Sequence, residues 1–478
     1  MNTINRFILI ILLPLIFAGS LLAQSQPNII LIMTDDQGWF DAGFNGNDVI
    51  KTPNLDRIAK QGIIFDRFYS GSAVCSPTRA SAITGRNPNR MGIITANKGH
   101  LKEEEITIAE MVKQKGYASA HFGKWHLGIL TKKEIESNRG GREKNFEHFS
   151  IPSSHGYDEF FCTEAKVPTY DPMIKPKVYK EGESHRYGWS AVKKGEDFES
   201  FNTAYWIGEE IKETENLSGD DTKVIMDRVI PFIDKAVKQN KPFFTTIWAH
   251  TPHLPLVTSD YYKNMYSDLS VKDQLYFGCI TALDDQMGRL WDELEKQGIA
   301  DNTMIWFCSD NGPENKTSGS TGSFRGRKRS LYEGGLRSPA FVVWKNGLKG
   351  GERTDLPAFT SDYLPTIINM LDIAYPDDRP IDGIDIMPFL KNKHSVRNTP
   401  MGFFLRQSTS WVSNQYKLIS NDGSLTFELY DLLSDKEEKH NLIDSLPQVA
   451  GEMKKELDNW LKSVKNSRKG SDYTLSEK

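Results

Sequence analysis

The chain predicts an α/β fold: one large, mostly parallel sheet flanked by helices, followed by a smaller C-terminal α+β subdomain containing a short antiparallel sheet. Three observations predict it. Short apolar, β-branched runs alternate with amphipathic helical stretches. Four of these runs end at once in polar clusters, as strands of an open α/β sheet do when their carboxyl ends face a ligand. Near Val396 the grain changes to short antiparallel-type runs and one last amphipathic helix. At 478 residues there is length for a large core and a smaller one.

Each element has its own local reason. Arg6 gives a short positive start, Phe7 to Ala18 is apolar around Pro14, and Ser20-Leu21-Leu22-Ala23 offers a cleavage point. Residues 1–23 therefore read as an export leader. The alternative is a membrane anchor, for which the run is short. No cysteine follows Ala23 to carry a lipid, so no stable membrane anchor is expected. Residues 24–395 are expected to form the large domain and 396–478 the small one. Asn28 to Met33 is a buried parallel strand by its continuous apolar run. Thr52-Pro53 opens a helix to about Gln61, and Thr107 with Glu110 makes a capping box for another that ends near Gly116. Tyr117 to Phe122, Pro242 to Trp248, Met304 to Ser309 and Ala340 to Val343 read as strands. Asp221 to Val237 and Val271 to Gln297 have helical periodicity. Ser190 to Asn202 and Asn315 to Lys328 read as long surface loops. Gln415 to Ile419 and Phe427 to Asp431 read as short strands, and Val449 to Val464 as the last helix.

Bulk properties exclude one broad class. A formal charge of -4 and a pI near 6.2 do not suit a nucleic-acid binder, which carries a basic excess. Of four cysteines, Cys279 and Cys308 sit in apolar helix-like and strand-like contexts that favour a free buried thiol. No cysteine–histidine spacing suggests zinc.

The polar clusters carry the chemistry. Asp35-Asp36 closes the first strand, and two adjacent carboxylates there invite a cation. Asp310-Asn311-Gly312 repeats that arrangement after a later strand. All-oxygen donors point to Ca²⁺ or Mg²⁺. A helix cap or a solvated turn is the alternative for either cluster taken alone. Cys75 precedes Ser76, an N-cap residue type, and Pro77, a favoured first helical residue, which places the thiol at a helix N-terminus beside Arg79. Lys124 and His126 follow the Tyr117 strand in a glycine-flanked loop. His250 and His253 follow the Pro242 strand in a loop stiffened by Pro252 and Pro255. Lys328 lies in a basic loop with Arg325, Arg327 and Arg329 before Glu333-Gly334-Gly335. Such a loop is more often a solvated face, so the three arginines are expected to recognise an anionic substrate or to remain in solvent.

Cys75-Ser76-Pro77-Thr78-Arg79, running on through Ala80 to Thr84-Gly85-Arg86, resembles the maturation signature of the type I formylglycine-dependent sulfatases, in the alkaline phosphatase superfamily. The other motifs occur in order from Asn28 to Pro339, with a further match at Glu428 to Asp431 and Asn441-Leu442. The resemblance implies that Cys75 is converted to formylglycine by a formylglycine-generating or anaerobic maturation enzyme. It implies one Ca²⁺ on Asp35, Asp36, Asp310, Asn311 and the converted Cys75. Arg79, Lys124, His126, His253 and Lys328 would then bind sulfate and stabilise charge. His253 is preferred to His250 because its place after Pro252 and before apolar residues matches the family's site histidine. The implied chemistry is in-line attack on sulfur by the hydrated aldehyde. Asp36 would accept the proton, His253 with Lys328 would assist the leaving oxygen, and His126 would serve the release step.

The implied substrate is a sulfated carbohydrate: an algal glycan such as ulvan or carrageenan first, a glycosaminoglycan second. Glu164 to Pro172, with Trp189 and Trp206, could line a sugar subsite or simply pack as a surface loop with buried rings. Two other functions compete. A phosphate or phosphonate ester hydrolase would use the same groups, although ligands for a single metal favour sulfate. A non-catalytic glycan binder would not need the nucleophile or the acids. The expected location is the periplasm, or outside the cell.

Overall fold

The computed structural model describes residues 26–392 and 396–473. The expected leader, residues 1–23, lies outside the described residues. No helix among the described residues is long and apolar enough to cross a membrane.

The large sheet has ten strands. Its centre is five parallel neighbours in the order Thr303–Ser309, Asn28–Thr34, Phe243–Trp248, Ala118–Lys124 and Glu159–Thr163. The strand Ala340–Val343 joins one side antiparallel, and the hairpin Tyr205–Gly208 and Ile211–Glu213 closes the other. Both faces are covered, as a parallel sheet requires. Ile29, Leu31 and Met33 enter one core cluster and Ile30 and Ile32 the other, so the continuous apolar run of the first strand serves two cores. Because the four strands that precede the polar clusters are adjacent and parallel, their carboxyl ends meet at one edge.

The helices behave as their termini dictate. The capping box at Thr107 is formed: the Thr107 hydroxyl accepts from Glu110 N–H at 3.3 Å, and the Glu110 carboxylate accepts from Thr107 N–H at 2.8 Å. Asp221–Lys238 and Val271–Lys296 are capped by Asp220 and Ser270. The strand expected to end at Phe122 continues through Gly123 to Lys124, pairing Lys124 with Thr163. Gly123 allows this: at φ 97° an added Cβ would lie 2.0 Å from the Trp248 carbonyl oxygen.

The helix carrying Cys75 starts two residues earlier than its sequence suggests. Val74, extended at φ −153°, is the N-cap, Cys75 is the first helical residue, and Ser76 Oγ caps nothing. Thr78 does the anchoring instead, accepting from Ser72 N–H at 3.0 Å and donating to Ser72 O at 2.9 Å. Pro77 is tolerated because no N–H of the first turn has an intrahelical partner to lose.

The C-terminal sheet has four antiparallel strands: Met401–Leu405, Ser408–Val412, Tyr416–Ser420 and Glu428–Asp431. Helix Pro447–Arg468 packs Met453, Leu457 and Leu461 onto one face, against Trp411, Leu418 and Leu429. The other face packs Phe403, Val412 and Ile419 on Tyr69, Leu336 and Phe359 of the large unit. All four cysteines are free and buried.

Candidate active site

Three buried carboxyls form the floor. Asp35 and Asp310 follow adjacent strands paired in register to Thr34 and Ser309, so they are delivered side by side. Asp36 turns back at φ 66°, a left-handed conformation uncommon outside glycine, and its N–H donates to Asp310 Oδ1 at 3.1 Å. One carboxylate oxygen from each of the three lies within 4.8 Å of the others. Asn311 joins them: its Nδ2 donates to Asp36 Oδ1 at 2.6 Å and to Gly312 O at 2.9 Å. Gly312 lets this turn sit against the Glu333 turn, since an added Cβ would lie 2.0 Å from Gly334 O.

Three cations lie on these acids. Lys124 Nζ donates to Asp35 Oδ2 at 2.6 Å, Lys328 Nζ to Asp36 Oδ1 at 2.5 Å, and Arg79 to Asp310 Oδ2 at 2.9 Å. Burial works to raise all three carboxyls, but the outcomes differ. At Asp35 burial is overcome by Lys124, with His253 and Arg79 behind it, and the group is held well below the usual range. At Asp36 burial prevails over Lys328 and the group is raised. Asp310 is pushed up to about 7 by burial and by the Asp35 charge.

Two buried oxygens of this floor, Asp35 Oδ1 and Asn311 Oδ1, have no hydrogen-bond partner. An unpaired oxygen in a buried site costs on the order of 1–3 kcal/mol. A hard divalent cation is the group that all-oxygen donors suit, so Asp35, Asp36, Asp310 and Asn311 fit a Ca²⁺ or Mg²⁺ ion. Asp41, the other acid of the first cluster, accepts from Gly38 N–H, Ser320 N–H and Tyr276 Oη, and holds the loop.

Cys75 opens onto a cavity of about 630 Å³ beside this floor. Cys75 Sγ, one carboxylate oxygen of Asp35 and one ring nitrogen of His253 all lie within 4.8 Å of one another. Burial pushes the thiol up, against the pull of Lys124 and Lys328, so the side chain is a poor thiolate nucleophile as it stands. His253 donates Nδ1–H to Leu254 O at 2.6 Å, which leaves Nε2 as an acceptor 3.7 Å from Asp36 Oδ2. His126 takes a left-handed φ of 57° and donates Nε2–H to Asn97 Oδ1 at 2.8 Å. Its Nδ1 is buried and without a partner. Both tautomers are assigned from these partners. Burial holds both rings well below the ordinary histidine range, helped at His126 by Lys124 and offset in part at His253 by Asp35.

Of the sequence-predicted residues, Cys75, Lys124, His126, His253 and Lys328 line the cavity. Arg79 does not. It is fully buried beneath the floor, bound to Asp310 and to Lys124 O at 3.2 Å, with its guanidinium 5.2 Å from the Trp248 ring. His250 is also outside: its Nδ1 meets Asp221 Oδ2 at 2.8 Å and its Nε2 meets Thr163 Oγ1 at 2.7 Å. Trp189 and Trp206 are core residues, each 1% exposed, and give no sugar platform. From the Glu164 segment only Ala165 and Lys166 reach the cavity, because Glu164 is committed to Arg139 and Gly140 N–H. Arg325 ties to Tyr430 and Arg327 to the carbonyls of Glu314 and Gly319, whereas Arg329 lines the cavity. Sequence reasoning missed Asn97, Lys98, Asn138 and Arg406, single polar residues in loops that carry no motif.

A family model described as Sulfatase matches residues 27–373, the span that holds every one of these groups except Arg406, and one described as N-sulphoglucosamine sulphohydrolase, C-terminal, matches residues 319–467. The chain belongs to the sulfatase family. This sulfatase is 31% identical over 430 residues to N-acetylgalactosamine-6-sulfatase of Rattus norvegicus, covering 85% of this chain and 74% of that one. It is 29% identical to arylsulfatase G of Mus musculus over 396 residues, 78% of this chain and 70% of that one. The solved structure of Ps i-CgsB in complex with k-i-k-neocarrahexaose superposes with a TM-score of 0.75 at 26% identity, over 92% of this chain and 93% of that one. A Bacteroides thetaiotaomicron structure described under metabolism of multiple glycosaminoglycans gives 0.72 at 25% identity, over 92% and 100%. The sulfatase is accordingly a hydrolase of sulfate esters, built on the alkaline phosphatase-like fold.

Proposed function

We propose that this sulfatase removes sulfate from a sulfated carbohydrate, with Cys75 as the precursor of a formylglycine nucleophile and one Ca²⁺ on Asp35, Asp36, Asp310 and Asn311. The observation that carries the reading is the convergence of Cys75 Sγ with a floor whose buried oxygens lack partners, at the foot of a cavity wide enough for a sugar. When present, the hydrated aldehyde supplies the attacking hydroxyl and the cation supplies charge to polarise the sulfate oxygens.

The chain's own residues do the rest. Lys124 and Lys328 present ammonium groups to the sulfate oxygens from two sides, where their charge counts for more than in water. Arg79 holds Asp310 in place from beneath. His126, with Nε2–H fixed by Asn97, keeps Nδ1 as a proton acceptor. His253, with Nδ1–H fixed by Leu254, faces the cavity with Nε2, and an anion there is what brings the second proton that the leaving sugar oxygen needs. Both rings are thus oriented before substrate arrives.

The relatives' names support a carbohydrate substrate in two directions, glycosaminoglycan-type and carrageenan-type. Algal glycans stand first in this proposal and glycosaminoglycans second, on exported material with the leader-like residues 1–23. The test uses the mature chain, with peptide mass spectrometry at Cys75 and rates on aryl sulfate, aryl phosphate and a panel of defined sulfated oligosaccharides. Expected are an aldehyde in place of the thiol, faster sulfate than phosphate hydrolysis, and turnover of at least one glycan. A retained thiol with full activity, or a preference for phosphate, would overturn it.

A further inference from the structure

The cavity has a neighbour on one wall. It shares Thr95, Lys98 and Arg406 with a second hollow of about 430 Å³, which Phe404 and Arg468 also line. Arg406 sits at the tip of the hairpin between Met401–Leu405 and Ser408–Val412, at a left-handed φ of 58°. Arg468 ends the last helix, bonded through Nε to Asn89 O at 3.0 Å and through Nη2 to Asn89 Oδ1 at 2.5 Å, with its guanidinium 5.5 Å from the Phe404 ring. Among the described residues none of Lys98, Arg406 and Arg468 has an acidic partner. Burial alone lowers the pKa of Arg468, with no carboxylate to offset it.

A lone exposed lysine is ordinarily solvated, and a cation at a helix C-terminus is ordinary too. This cluster differs in three ways. It lines one hollow, that hollow shares Thr95, Lys98 and Arg406 with the catalytic cavity, and the chain has 63 acidic residues against 59 basic ones, so an acid-free group of three cations is not its average surface. Guanidinium and ammonium groups bind sulfate or carboxylate, and a partly buried phenyl ring offers an apolar face to a sugar.

We propose that this hollow is a second binding subsite, which takes an anionic sugar residue neighbouring the one that loses its sulfate. It rests on the carbohydrate reading above for what occupies the first subsite. The C-terminal subdomain thereby contributes to substrate choice through Arg406 and Arg468, and oligosaccharides are favoured over single sulfated sugars.

The test compares the full mature chain with a Lys98→Gln/Arg406→Asn variant. Neither side chain has an acidic partner to strand, and Asn tolerates the left-handed backbone at position 406. The probes are ι-carrageenan hexasaccharide, chondroitin 6-sulfate hexasaccharide, the carboxyl-reduced form of the latter, and p-nitrophenyl sulfate. At least one hexasaccharide is expected to bind, with Kd weakened about tenfold or more in the variant, the scale of losing charge-assisted contacts. Arg468→Gln should weaken the same ligand. A loss on chondroitin 6-sulfate but not on its carboxyl-reduced form identifies a carboxylate; a loss on carrageenan identifies a sulfate. If neither hexasaccharide binds, or if the variant binds within about twofold of the parent, the proposal is wrong. Failure to hydrolyse p-nitrophenyl sulfate, with variant-sensitive binding intact, would defeat the catalytic reading and leave the subsite standing.

Discussion

Two buried charge clusters in this protein look alike in composition and differ in purpose. One is the floor, with Asp35, Asp36 and Asp310 against Arg79, Lys124 and Lys328. The other lies where the large unit meets the C-terminal sheet, with Glu333 and Glu438 against Lys417 and Arg337. At the junction every carboxylate oxygen has a donor or a cation within 3.0 Å: Glu333 takes Lys417, Tyr69 and Arg337, while Glu438 takes Glu333 N–H and, as an ion pair at 2.8 Å without hydrogen-bond geometry, Lys417. The floor has equal numbers of acids and cations, yet it leaves Asp35 Oδ1 and Asn311 Oδ1 unpaired and borders a cavity. Paired charge in a closed space fixes one unit on another. Unpaired oxygen beside a cavity is what a ligand or metal site requires. A cluster of charges therefore says little until its spare donors and acceptors are counted.

The comparison can be broken most sharply at the floor. Asp310→Asn is expected to lower kcat/KM on p-nitrophenyl sulfate by about a thousandfold, the order of loss when one preorganised electrostatic group is removed. A drop of less than about tenfold would mean the floor is structural, like the junction. Next in size is Glu333→Gln, which should cost about 3 kcal/mol of stability at pH 7, since it leaves buried Arg337 without its carboxylate and Lys417 with Glu438 alone. Although burial opposes it, Lys417 with Arg337 holds the Glu333 carboxyl at about 2, below its ordinary 4.5. Its stabilisation is thus complete above pH 4.5 and is lost as pH falls through 2, so parent and variant should converge in urea unfolding on acidification. An equal gap at both ends of that range would refute the pairing.

Metal addition tests the two clusters together. Calcium at about a hundredfold over its Kd should stabilise the parent by about 2.7 kcal/mol, read as a rise in Tm that a chelator reverses. Glu333→Gln should keep that rise and Asp310→Asn should lose it; the reverse pattern would exchange their roles. The smallest effect is expected at Arg325, a half-exposed tie from the basic loop to Tyr430 and Glu428. Arg325→Ala should change stability by about 1 kcal/mol or less. A larger loss would mean that the junction depends on its rim as well as on its buried pairs.

Much of the floor was legible because strand ends announce themselves. A continuous apolar run followed by Asp35-Asp36 or Asp310-Asn311 could be a cap or a turn when taken alone, but the two clusters together point to a cation, and four such strand ends prove to be neighbours. The N-cap of the Cys75 helix was misread because Ser76 and Pro77 fit a helix start by type, whereas the extended backbone of Val74 sets the boundary two residues earlier. Trp189 and Trp206 had the composition of a sugar platform, but hydrophobic burial drew them into the core. Asn97, Lys98 and Arg406 left no local signal, since a single polar residue in a loop matches any surface.

The sequence by itself determined the alternation of strands and helices, the all-oxygen donor set, the signature around Cys75 and so the family. Only the tertiary structure decided that Arg79 sits beneath the floor and which oxygens lack a partner. Those outcomes depend on contacts between residues far apart in the chain: Asp36 with Asp310 is separated by 274 positions and Lys328 with Asp36 by 292. Local pattern fixes what a residue can do, but burial and pairing are properties of the space around it, and that space exists only after the chain has closed on itself.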